Sequence, residues 1–424
     1  MTGSNFDTKG KNILLIWESV NWGGVESWLC YLLNDWPSSD DNITVLSNKG
    51  NLGAERITSL LRNPRSIQLK FIHSSFTSNK FFVLSALGNL FCKLLTPLLF
   101  IIMVSKYYRF IKKSNFDIVL AVNGGYPAAL GVLASIVASR LAKIPVRSLV
   151  VHHEASKALP FLGWFFVMLD YVLSYSLTSV ICISKATQRA LKDNSSLFFN
   201  QNLNSVIIHN GVNLDTEKKS NQKESRSSSK PLLDDTGLMR FAMLGRPDPY
   251  KGHEDVIAAM VKLPSDIMIK TSLVIVGSVP EVDKAHLIAF SKNLGFKGKL
   301  EFTGYLKGEI IEEIKYFDAV IVATRNFEGF GLTAAEAMVA KVPLISSTAG
   351  ALEEFVSPEV ATCFSPSNVE ELSAIIYAFY VDPLPFKEKT QLADRHIQNY
   401  SSKKMAQRYR NHLEQSFCSA KTNN

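Results

Sequence analysis

The stretch DAVIVATRNFEGFGLTAAEAMVAKVPLISS, from Asp318 to Ser347, changes its hydrophobic pattern twice. Its two ends, DAVIVAT and VPLISS, are short runs rich in β-branched residues, which is typical of buried strands. The alanine-rich segment between them, near Thr333 to Ala340, is typical of a helix. A strand, a helix and a second strand in this order form a βαβ unit, so the stretch predicts an open parallel sheet.

The same alternation runs through the rest of the chain. Before residue 215, β-branched runs predict strands that begin at Asn12, Asn42, Ile67, Asp117, Arg147, Ser179 and Ser205, with helices such as 26–33 and 128–141 between them. After residue 235 the alternation restarts with the runs MRFAMLG, SLVIVGS, KLEFTGY, DAVIVAT, VPLISS and ATCFS. The predicted fold class is therefore α/β, with two doubly wound, Rossmann-like parallel-sheet domains.

A polar, serine-rich segment, EKKSNQKESRSSSK, separates the two halves and is typical of an exposed linker. A length of 424 residues also agrees with about two domains. We predict an N-terminal domain at 1–214, a linker at 215–235, a second domain at 236–395, and a C-terminal helix and tail at 396–424. Within the last part, Lys403 to Gln415 is predicted to be a surface helix.

The composition limits the class of protein. A hydrophobic content of 46% with 20% charged residues is ordinary for a globular chain. The net charge of +8 favours anionic partners such as lipid head groups, sugar phosphates or nucleic acid. The five cysteines form no CxxC pair or Cys/His cluster, which predicts neither a disulfide framework nor a metal site. Together with a polar N-terminus without a signal-peptide pattern, this predicts a cytoplasmic protein.

One stretch, from Phe81 to Lys113, is apolar for most of its length and ends in a basic cluster. Its longest uninterrupted apolar run, Pro97 to Val104, is much shorter than the roughly 20 residues of a membrane-spanning helix. A buried helix, an interfacial helix and a spanning helix all remain open. The basic residues Lys106, Arg109, Lys112 and Lys113 favour peripheral attachment to an anionic membrane surface.

The glycine-rich turn after DAVIVAT points to a ligand site. Gly329 and Gly331 allow a sharp turn and a close approach of the backbone to a ligand. The helix that follows presents backbone N–H groups and a positive dipole end, which suits a phosphate. The carboxylates Glu328 and Glu336 on either side are better matched to hydroxyl groups, such as those of a sugar. The alternative is that both glutamates are ordinary helix-terminal or solvated residues.

A second strand, loop and helix, FAMLGRPDPYKGHEDVIAAM (Phe241 to Met260), carries Arg246 and Lys251 in its loop. Two cations at this spacing can neutralise a diphosphate, and each charge-assisted hydrogen bond contributes about 1.5–3 kcal/mol. Taken alone, the two could equally be ordinary surface cations.

These motifs resemble the donor-binding domain of the group 1 (family 4) glycosyltransferases. The resemblance rests on GRPDPYKGHEDVIAAM, LVIVGS, FTGYL and EGFGLTAAEAMVAKVPLISSTAGALEE, and covers most of 241–354. It implies the GT-B fold, in which two Rossmann-like domains face a central cleft. It also implies a retaining, metal-independent hexosyltransferase without a cofactor, whose co-substrate is a nucleotide-diphosphate sugar.

The resemblance assigns roles to individual residues. Arg246 and Lys251 would hold the donor diphosphate, Glu336 the ribose hydroxyls, and Glu328 would lie near the transferred sugar. The catalytic residues implied are Glu328, His153, Arg246 and Lys251. The donor-binding residues implied are Gly24, Gly245, Arg246, Lys251, Glu328, Gly329, Phe330, Gly331, Leu332, Thr333 and Glu336.

The first half resembles the family more loosely. WESVNWGGVESWL places Gly23 and Gly24 after the first strand, VVHHE places His153 and Glu154 at a strand end, and ICISKATQRAL and VIIHNGVNLD match further family elements at Ser184, Lys185, Asn210 and Gly211. His152 and His153 should point to opposite faces of their strand, and the match favours His153 for the cleft. The family's Pro-Ser pair is Ala323-Thr324 here, its usual second glycine is Ala351, and Asn123 stands where a histidine is frequent.

The predicted function is transfer of a sugar to a sugar, glycolipid or polyprenyl-linked acceptor, in cell-surface polysaccharide or glycolipid assembly. The departing phosphate would help to deprotonate the acceptor, so no protein general base is named. Two alternatives remain: a GT-B-fold nucleotide-sugar epimerase, and a non-catalytic nucleotide-binding protein. Nucleic acid is not a predicted partner, because no RNA- or DNA-reading motif is present.

Overall fold

The computed structural model describes residues 10–19, 23–51, 53–62, 67–73, 95–156, 162–214, 237–304 and 310–422. The chain forms two compact units. Unit 1 comprises Met1–Gly211 together with Ser402–Asn424, and unit 2 comprises Val212–Ser401. The boundary between the units falls just before the predicted linker at 215–235, which lies outside the described residues.

Unit 1 is built on a seven-stranded parallel sheet with the order β3-β2-β1-β4-β5-β6-β7. Its inner strand β1 pairs on both sides: Ile13 lies opposite Ile43 of β2 and Ile118 of β4. Both faces of the inner strands are buried, which explains their nearly continuous apolar sequence. The strands are β1 (Asn12–Trp17), β2 (Asn42–Asn48), β3 (Ile67–Ile72), β4 (Ile118–Gly125), β5 (Val146–His153), β6 (Ser179–Cys182) and β7 (Asn204–Ile207).

Helices cover the sheet of unit 1. Those described are Gly24–Asn34, Gly53–Leu60, Thr96–Lys112, Leu130–Leu141, Gly163–Ser176, Lys185–Asn194 and Ser402–Thr422, with a 3₁₀ turn at Leu197–Phe199. The helix Thr96–Lys112 buries Phe100, Met103, Tyr107 and Ile111 on one face. No helix among the described residues is both long enough and apolar enough to cross a membrane.

The C-terminal helix differs from the prediction. It extends from Ser402 to Thr422, beyond the predicted Lys403 to Gln415, and it packs in unit 1. Met405, Tyr409 and Leu413 recur every four residues and are at most 2% exposed. Tyr409 packs against Trp28 of the first helix, with ring centroids 5.6 Å apart. This apolar stripe holds one face of the helix against unit 1.

Unit 2 repeats the same plan with six parallel strands in the order β10-β9-β8-β11-β12-β13. Phe241 of the central strand β8 lies opposite Leu273 of β9 and Ala319 of β11. The strands are β8 (Met239–Leu244), β9 (Thr271–Val276), β10 (Lys299–Gly304), β11 (Ala319–Val322), β12 (Leu344–Ser347) and β13 (Thr362–Phe364). The helices are His253–Val261, Ser265–Met268, Glu281–Asn293, Ile310–Ile314, Leu332–Ala340, Leu352–Phe355, Val369–Val381 and Leu384–Ile397, with 3₁₀ turns at Pro249–Lys251 and Gln398–Tyr400.

The strand order of each unit reverses direction once. In unit 1 the reversal lies between β1 and β4, and in unit 2 between β8 and β11. Ligands of doubly wound sheets bind outside the carboxyl ends of the strands at such a reversal. The predicted α/β class with two doubly wound parallel sheets is confirmed, and the loops after β8 and β11 are the place to search for a site in unit 2.

Candidate active site

The loops after β8 and β11 carry the two sequence motifs and pack directly on one another. Gly252 closes the first loop with φ +73°, and a Cβ at this position would lie 2.0 Å from the carbonyl oxygen of Ala323. Only glycine allows both this left-handed backbone and this approach. The two predicted motifs, about 80 residues apart in the chain, therefore form one site.

At the centre of this site, Lys251 and Glu328 form an ion pair. The Lys251 Nζ donates to Glu328 Oε2 at 2.6 Å, and the side chains are 26% and 14% exposed. Burial is the largest single effect and would lower the pKa of Lys251, but Glu328, Tyr250 and Asp248 together outweigh it and the pKa is raised. Lys251 is therefore a cation at neutral pH, held at the edge of the reversal point.

Thr324 and Gly350 fix the position of Glu328. The Thr324 hydroxyl donates to Glu328 Oε2 at 3.0 Å, so the threonine keeps the hydroxyl of the family's usual serine. Gly350, with φ +59°, lies against the backbone of Glu328: a Cβ there would be 2.7 Å from both its nitrogen and its oxygen. The neighbouring Ala351 N–H donates to the Glu328 carbonyl at 2.8 Å. The alanine in place of the family's second glycine thus supplies a backbone contact.

Arg246 lies in the same loop but is more exposed. Its guanidinium is 44% exposed and lies 3.5 Å from Asp248, an ion pair that solvent screens strongly. Gly245 before it has φ +108° and donates its N–H to the Val276 carbonyl at 2.8 Å, which ends β8 against β9. Because this ion pair is weak, an anionic ligand can compete with Asp248 for the Arg246 guanidinium.

The glycine turn leads into the helix Leu332–Ala340. Gly331 is its N-cap with φ +94°, and a Cβ there would lie 2.6 Å from Leu352 Cδ2. Leu332 and Thr333 form the first turn, where backbone N–H groups point out of the helix. Glu336 follows within the second turn and is 8% exposed. Leu332 and Thr333 at the helix start are thus partly exposed, and Glu336 is nearly buried one turn further on.

Two more of the predicted donor-binding residues line this turn. Phe330 is 2% exposed, and its ring lies 4.8 Å from the ring of Phe355. Its side chain is therefore part of the core of unit 2, and only its backbone remains for a ligand. Gly329 is buried beside it.

Arg325 is a site residue that sequence reasoning missed. Its guanidinium donates to Asp255 Oδ2 and Oδ1 at 2.8 and 2.7 Å, and to Glu254 at 3.1 Å. Hydrogen bonding to Asp255 is the largest reason that the pKa of Arg325 is raised. Its backbone N–H donates to the Tyr250 carbonyl at 2.7 Å. Arg325 thus ties the β11 loop to the Lys251 loop and to the helix His253–Val261. Its position directly after a strand end was the available signal.

Unit 1 holds the other candidates. Gly24 begins the helix Gly24–Asn34 after β1, and the preceding Gly23 N–H donates to Glu26 Oε2 at 2.6 Å. His152 is buried against Trp28, and burial lowers its pKa to about 3. His153 ends β5 and is partly exposed. The two histidines thus occupy a core position and a partly exposed position at the strand end.

The loosely matched elements of unit 1 have structural partners. Ser184 caps the helix Lys185–Asn194 by accepting from the Thr187 N–H at 3.0 Å. Asn210 is buried, and the Gly211 N–H donates to the Met405 sulfur at 3.1 Å. Asn123, where the family often has histidine, donates to the Ala128 carbonyl at 2.6 Å and is fully buried. These residues shape the loops at the carboxyl end of this sheet.

The comparisons with known proteins reported below all find similarity to glycosyltransferases. Residues 225–400 match the family described as glycosyl transferases group 1. An uncharacterized glycosyltransferase of Methanocaldococcus jannaschii is 31% identical over 200 residues, 45% of this chain and 48% of the relative. A GDP-mannose-dependent monoacylated alpha-(1-6)-phosphatidylinositol monomannoside mannosyltransferase of Corynebacterium glutamicum is 29% identical over 146 residues, 32% of this chain and 36% of the relative.

The alignments thus span about half the length of the first relative and less of the second. Among solved structures, Anabaena HepE in complex with UDP and glucose has a TM-score of 0.68 at 19% identity, over 96% of this chain and all of that one. At this identity the likeness shows the fold.

Proposed function

We propose that the protein transfers a sugar from a nucleotide-diphosphate sugar to a hydroxyl acceptor, with retained anomeric configuration. The premise is the match of residues 225–400 to the group 1 glycosyltransferases, in a chain of the GT-B fold. The observation that carries the proposal is the Lys251–Glu328 pair at the β8/β11 reversal point. A cation for phosphate and a carboxylate for hydroxyls meet there beside the start of the helix Leu332–Ala340.

Donor binding rearranges this pair in our proposal. The incoming diphosphate takes Lys251 from Glu328 and Arg246 from Asp248, since both cations gain a more highly charged partner. Glu328 is then available to accept hydrogen bonds from the sugar hydroxyls. Glu336 accepts from the ribose hydroxyls, and the first N–H groups of its helix receive the phosphate oxygens.

In the transfer step, the bond between the anomeric carbon and the β-phosphate oxygen breaks, and the acceptor oxygen bonds to the same face of that carbon. The acceptor proton passes to the departing phosphate oxygen, so the step needs no protein base. Negative charge grows on the phosphate, where Arg246 and Lys251 stabilise it. Preorganised groups of this kind are each worth roughly 100- to 1,000-fold in rate. His153 of unit 1 remains a proposed catalytic residue on the family resemblance alone.

The donor class has further support. HepE, which shares the fold, was solved with UDP and glucose. The corynebacterial relative is described as GDP-mannose-dependent and as acting on a phosphatidylinositol mannoside. We accordingly propose a nucleotide-sugar donor and a sugar, glycolipid or polyprenyl-linked acceptor, in cell-surface polysaccharide or glycolipid assembly.

We also propose a cytoplasmic location, with peripheral attachment to the inner membrane face. The described cysteines Cys30, Cys182, Cys363 and Cys418 are all unbridged, as suits a reducing compartment. Arg109 and Lys112 are exposed near the end of the helix Thr96–Lys112, with Lys113 just after it. Each basic residue close to an anionic leaflet contributes about 1 kcal/mol.

A thermal-shift panel of nucleoside diphosphates and their sugars tests the donor assignment. A ligand at about 100 times its Kd stabilises the folded chain by about 2.7 kcal/mol. We expect stabilisation by one nucleotide class, abolished in Lys251→Ala and retained in Lys262→Ala, an exposed lysine that pairs with Glu370. No shift with any nucleotide contradicts the donor site. Donor turnover without an acceptor would favour the epimerase, and binding without turnover the non-catalytic alternative.

A further inference from the structure

The helix Gly163–Ser176 exposes a continuous apolar stripe. All six of its exposed side chains are apolar or aromatic, with exposures between 39% and 62%: Trp164, Val167, Met168, Tyr171, Val172 and Tyr175. On its opposite face, Phe165, Leu169 and Leu173 are buried in the core of unit 1, beside the buried polar residues Asp170, Ser174 and Ser176. A helix that is apolar on every side is normally enclosed on every side. Within the part of the chain that the structure describes, no layer covers the outer face of this helix.

The stripe continues onto neighbouring elements. Phe165 contacts Phe100 with ring centroids 5.9 Å apart, which joins this helix to the helix Thr96–Lys112. That helix exposes Leu98 (54%), Ile101 (64%) and Ile102 (39%). On the other side, Phe199 is 62% exposed and packs on Tyr171. We call the ten exposed side chains of these three segments the apolar face; surfaces of this kind mark interaction sites.

The three long helices at the apolar face expose charge of one sign only. The helices Thr96–Lys112, Leu130–Leu141 and Gly163–Ser176 contain a single carboxylate, Asp170. Asp170 is 5% exposed and accepts hydrogen bonds from the Tyr126 hydroxyl and the Ser196 N–H. Their exposed charged side chains are all basic: Arg109, Lys112 and Arg140. The partner of this face therefore carries apolar material and negative charge.

We propose that the apolar face docks unit 1 on an anionic lipid bilayer. Tryptophan and tyrosine favour the boundary between head groups and acyl chains, and lipid phosphates pair with the arginine and lysine side chains. A second copy of the chain fits less well. Two-fold pairing would oppose Arg109, Lys112 and Arg140 to one another, with no exposed carboxylate on these helices to compensate.

This inference extends the proposed peripheral attachment to a helix that the hydrophobic pattern had not singled out, and it is independent of the transfer reaction. Both helices end a few residues before the amino ends of the strands that follow them, β4 and β6, so their first turns lie toward the other end of the sheet. The apolar residues Leu98, Ile101 and Trp164 therefore lie toward the end of the sheet at which ligands of this fold bind.

Vesicle co-sedimentation of the full chain tests the inference. The probes are phosphatidylcholine vesicles with and without phosphatidylglycerol, at low and high salt. The first variant combines Trp164→Ser, Val167→Ser and Met168→Ser. The second combines Arg109→Glu and Lys112→Glu. The control combines Val282→Ser and Leu384→Ser, which remove exposed apolar residues of unit 2 that are 81% and 64% exposed.

We expect the first variant, which we call the stripe variant, to bind vesicles at least about tenfold more weakly than the wild type at either salt concentration. The charge variant should lose the salt-sensitive part of binding by a similar factor. The control should bind like the wild type. Brominated acyl chains should quench wild-type tryptophan fluorescence, and Trp164→Phe should remove most of that quenching while vesicle binding persists.

Three results would overturn the inference. Unchanged binding of the stripe variant would leave only electrostatic attachment. No binding of the wild type to anionic vesicles would contradict both the apolar and the electrostatic attachment. A wild-type dimer in light scattering that dissociates in the stripe variant would make this face a self-association surface. Thermal unfolding of every variant shows whether it is folded, and nucleotide binding shows separately whether the proposed donor site is intact.

Discussion

Lys251 is the residue on which the proposed chemistry depends most. We expect Lys251→Ala to lower kcat/KM for the donor roughly 100- to 1,000-fold, because growing charge on the departing phosphate loses a preorganised cation. Steady-state kinetics with the donor found in the nucleotide panel measures the change. Lys262→Ala removes an exposed lysine of the same unit and should leave the rate unchanged. A folded Lys251→Ala with wild-type kcat/KM contradicts the assignment.

Substitutions at Glu328 and Glu336 should weaken the binding of different ligands. Glu336→Gln should weaken binding of the free nucleotide and of the nucleotide sugar alike, because both contain ribose. Glu328→Gln should weaken the nucleotide sugar more, since its carboxylate faces the sugar once Lys251 moves to the phosphate. Isothermal titration of each variant with both ligands makes the comparison. Equal losses for the two ligands in both variants would show that the roles are misassigned.

The motifs located Lys251 and Glu328 in advance but gave them separate roles. Their direct ion pair at 2.6 Å depends on two loops 77 residues apart. That contact requires the β8 and β11 strands to lie side by side, which no local pattern encodes. Phe330 shows the reverse case: it stands in the motif, yet its side chain packs on Phe355 in the core.

Among the elements, the β11 loop and the helix His253–Val261 are joined by Arg325. We expect Arg325→Lys to raise KM for the donor about tenfold or more while the chain stays folded, because lysine cannot reproduce the bidentate bond to Asp255. The Lys251 loop, held by the Arg325 backbone, should become less well positioned. Donor saturation curves separate a KM effect from a kcat effect.

Lys315→Ala is the matched control for Arg325, since it removes a similar cation from an exposed ion pair with Glu312. It should change neither KM nor stability appreciably. If Arg325→Lys lowers the melting temperature but leaves donor KM unchanged, Arg325 stabilises the fold without positioning the site.

The molecule as a whole should lose stability in mild acid because each unit buries a neutral histidine. Burial lowers the pKa of His253 in unit 2 to about 4 and that of His152 in unit 1 to about 3. The unfolded value is about 6.5, so between these values the unfolded chain binds more protons. The contribution of the two neutral histidines to the free energy of unfolding is fully present above about pH 6.5. It decreases as the pH falls toward their pKa values in the folded chain.

At pH 5 each histidine should cost about 2 kcal/mol of unfolding free energy relative to pH 7.5. Urea unfolding at both values, in the wild type and in His253→Gln, measures this. Neither ring nitrogen of His253 has a hydrogen-bond partner among the described residues, so the substitution breaks no bond there. His73→Gln, at an exposed position, is the control. An equal loss in all three proteins would assign the acid sensitivity to other groups.

The alternation of β-branched runs and helices was enough to predict two parallel α/β units, because a strand buried on both faces must be apolar throughout. The residues of the proposed donor site could also be named from the sequence, because the strand-end motifs that carry them are short and continuous. Long-range packing set the rest: the helix Ser402–Thr422 returns to unit 1 because Met405, Tyr409 and Leu413 find a buried surface there. Likewise, Arg325 became a clamp only through Asp255, 70 residues away. The hydrophobic pattern of neighbouring residues determines whether a segment forms a helix or a strand. The partner of a side chain depends instead on which strands lie side by side in the folded chain.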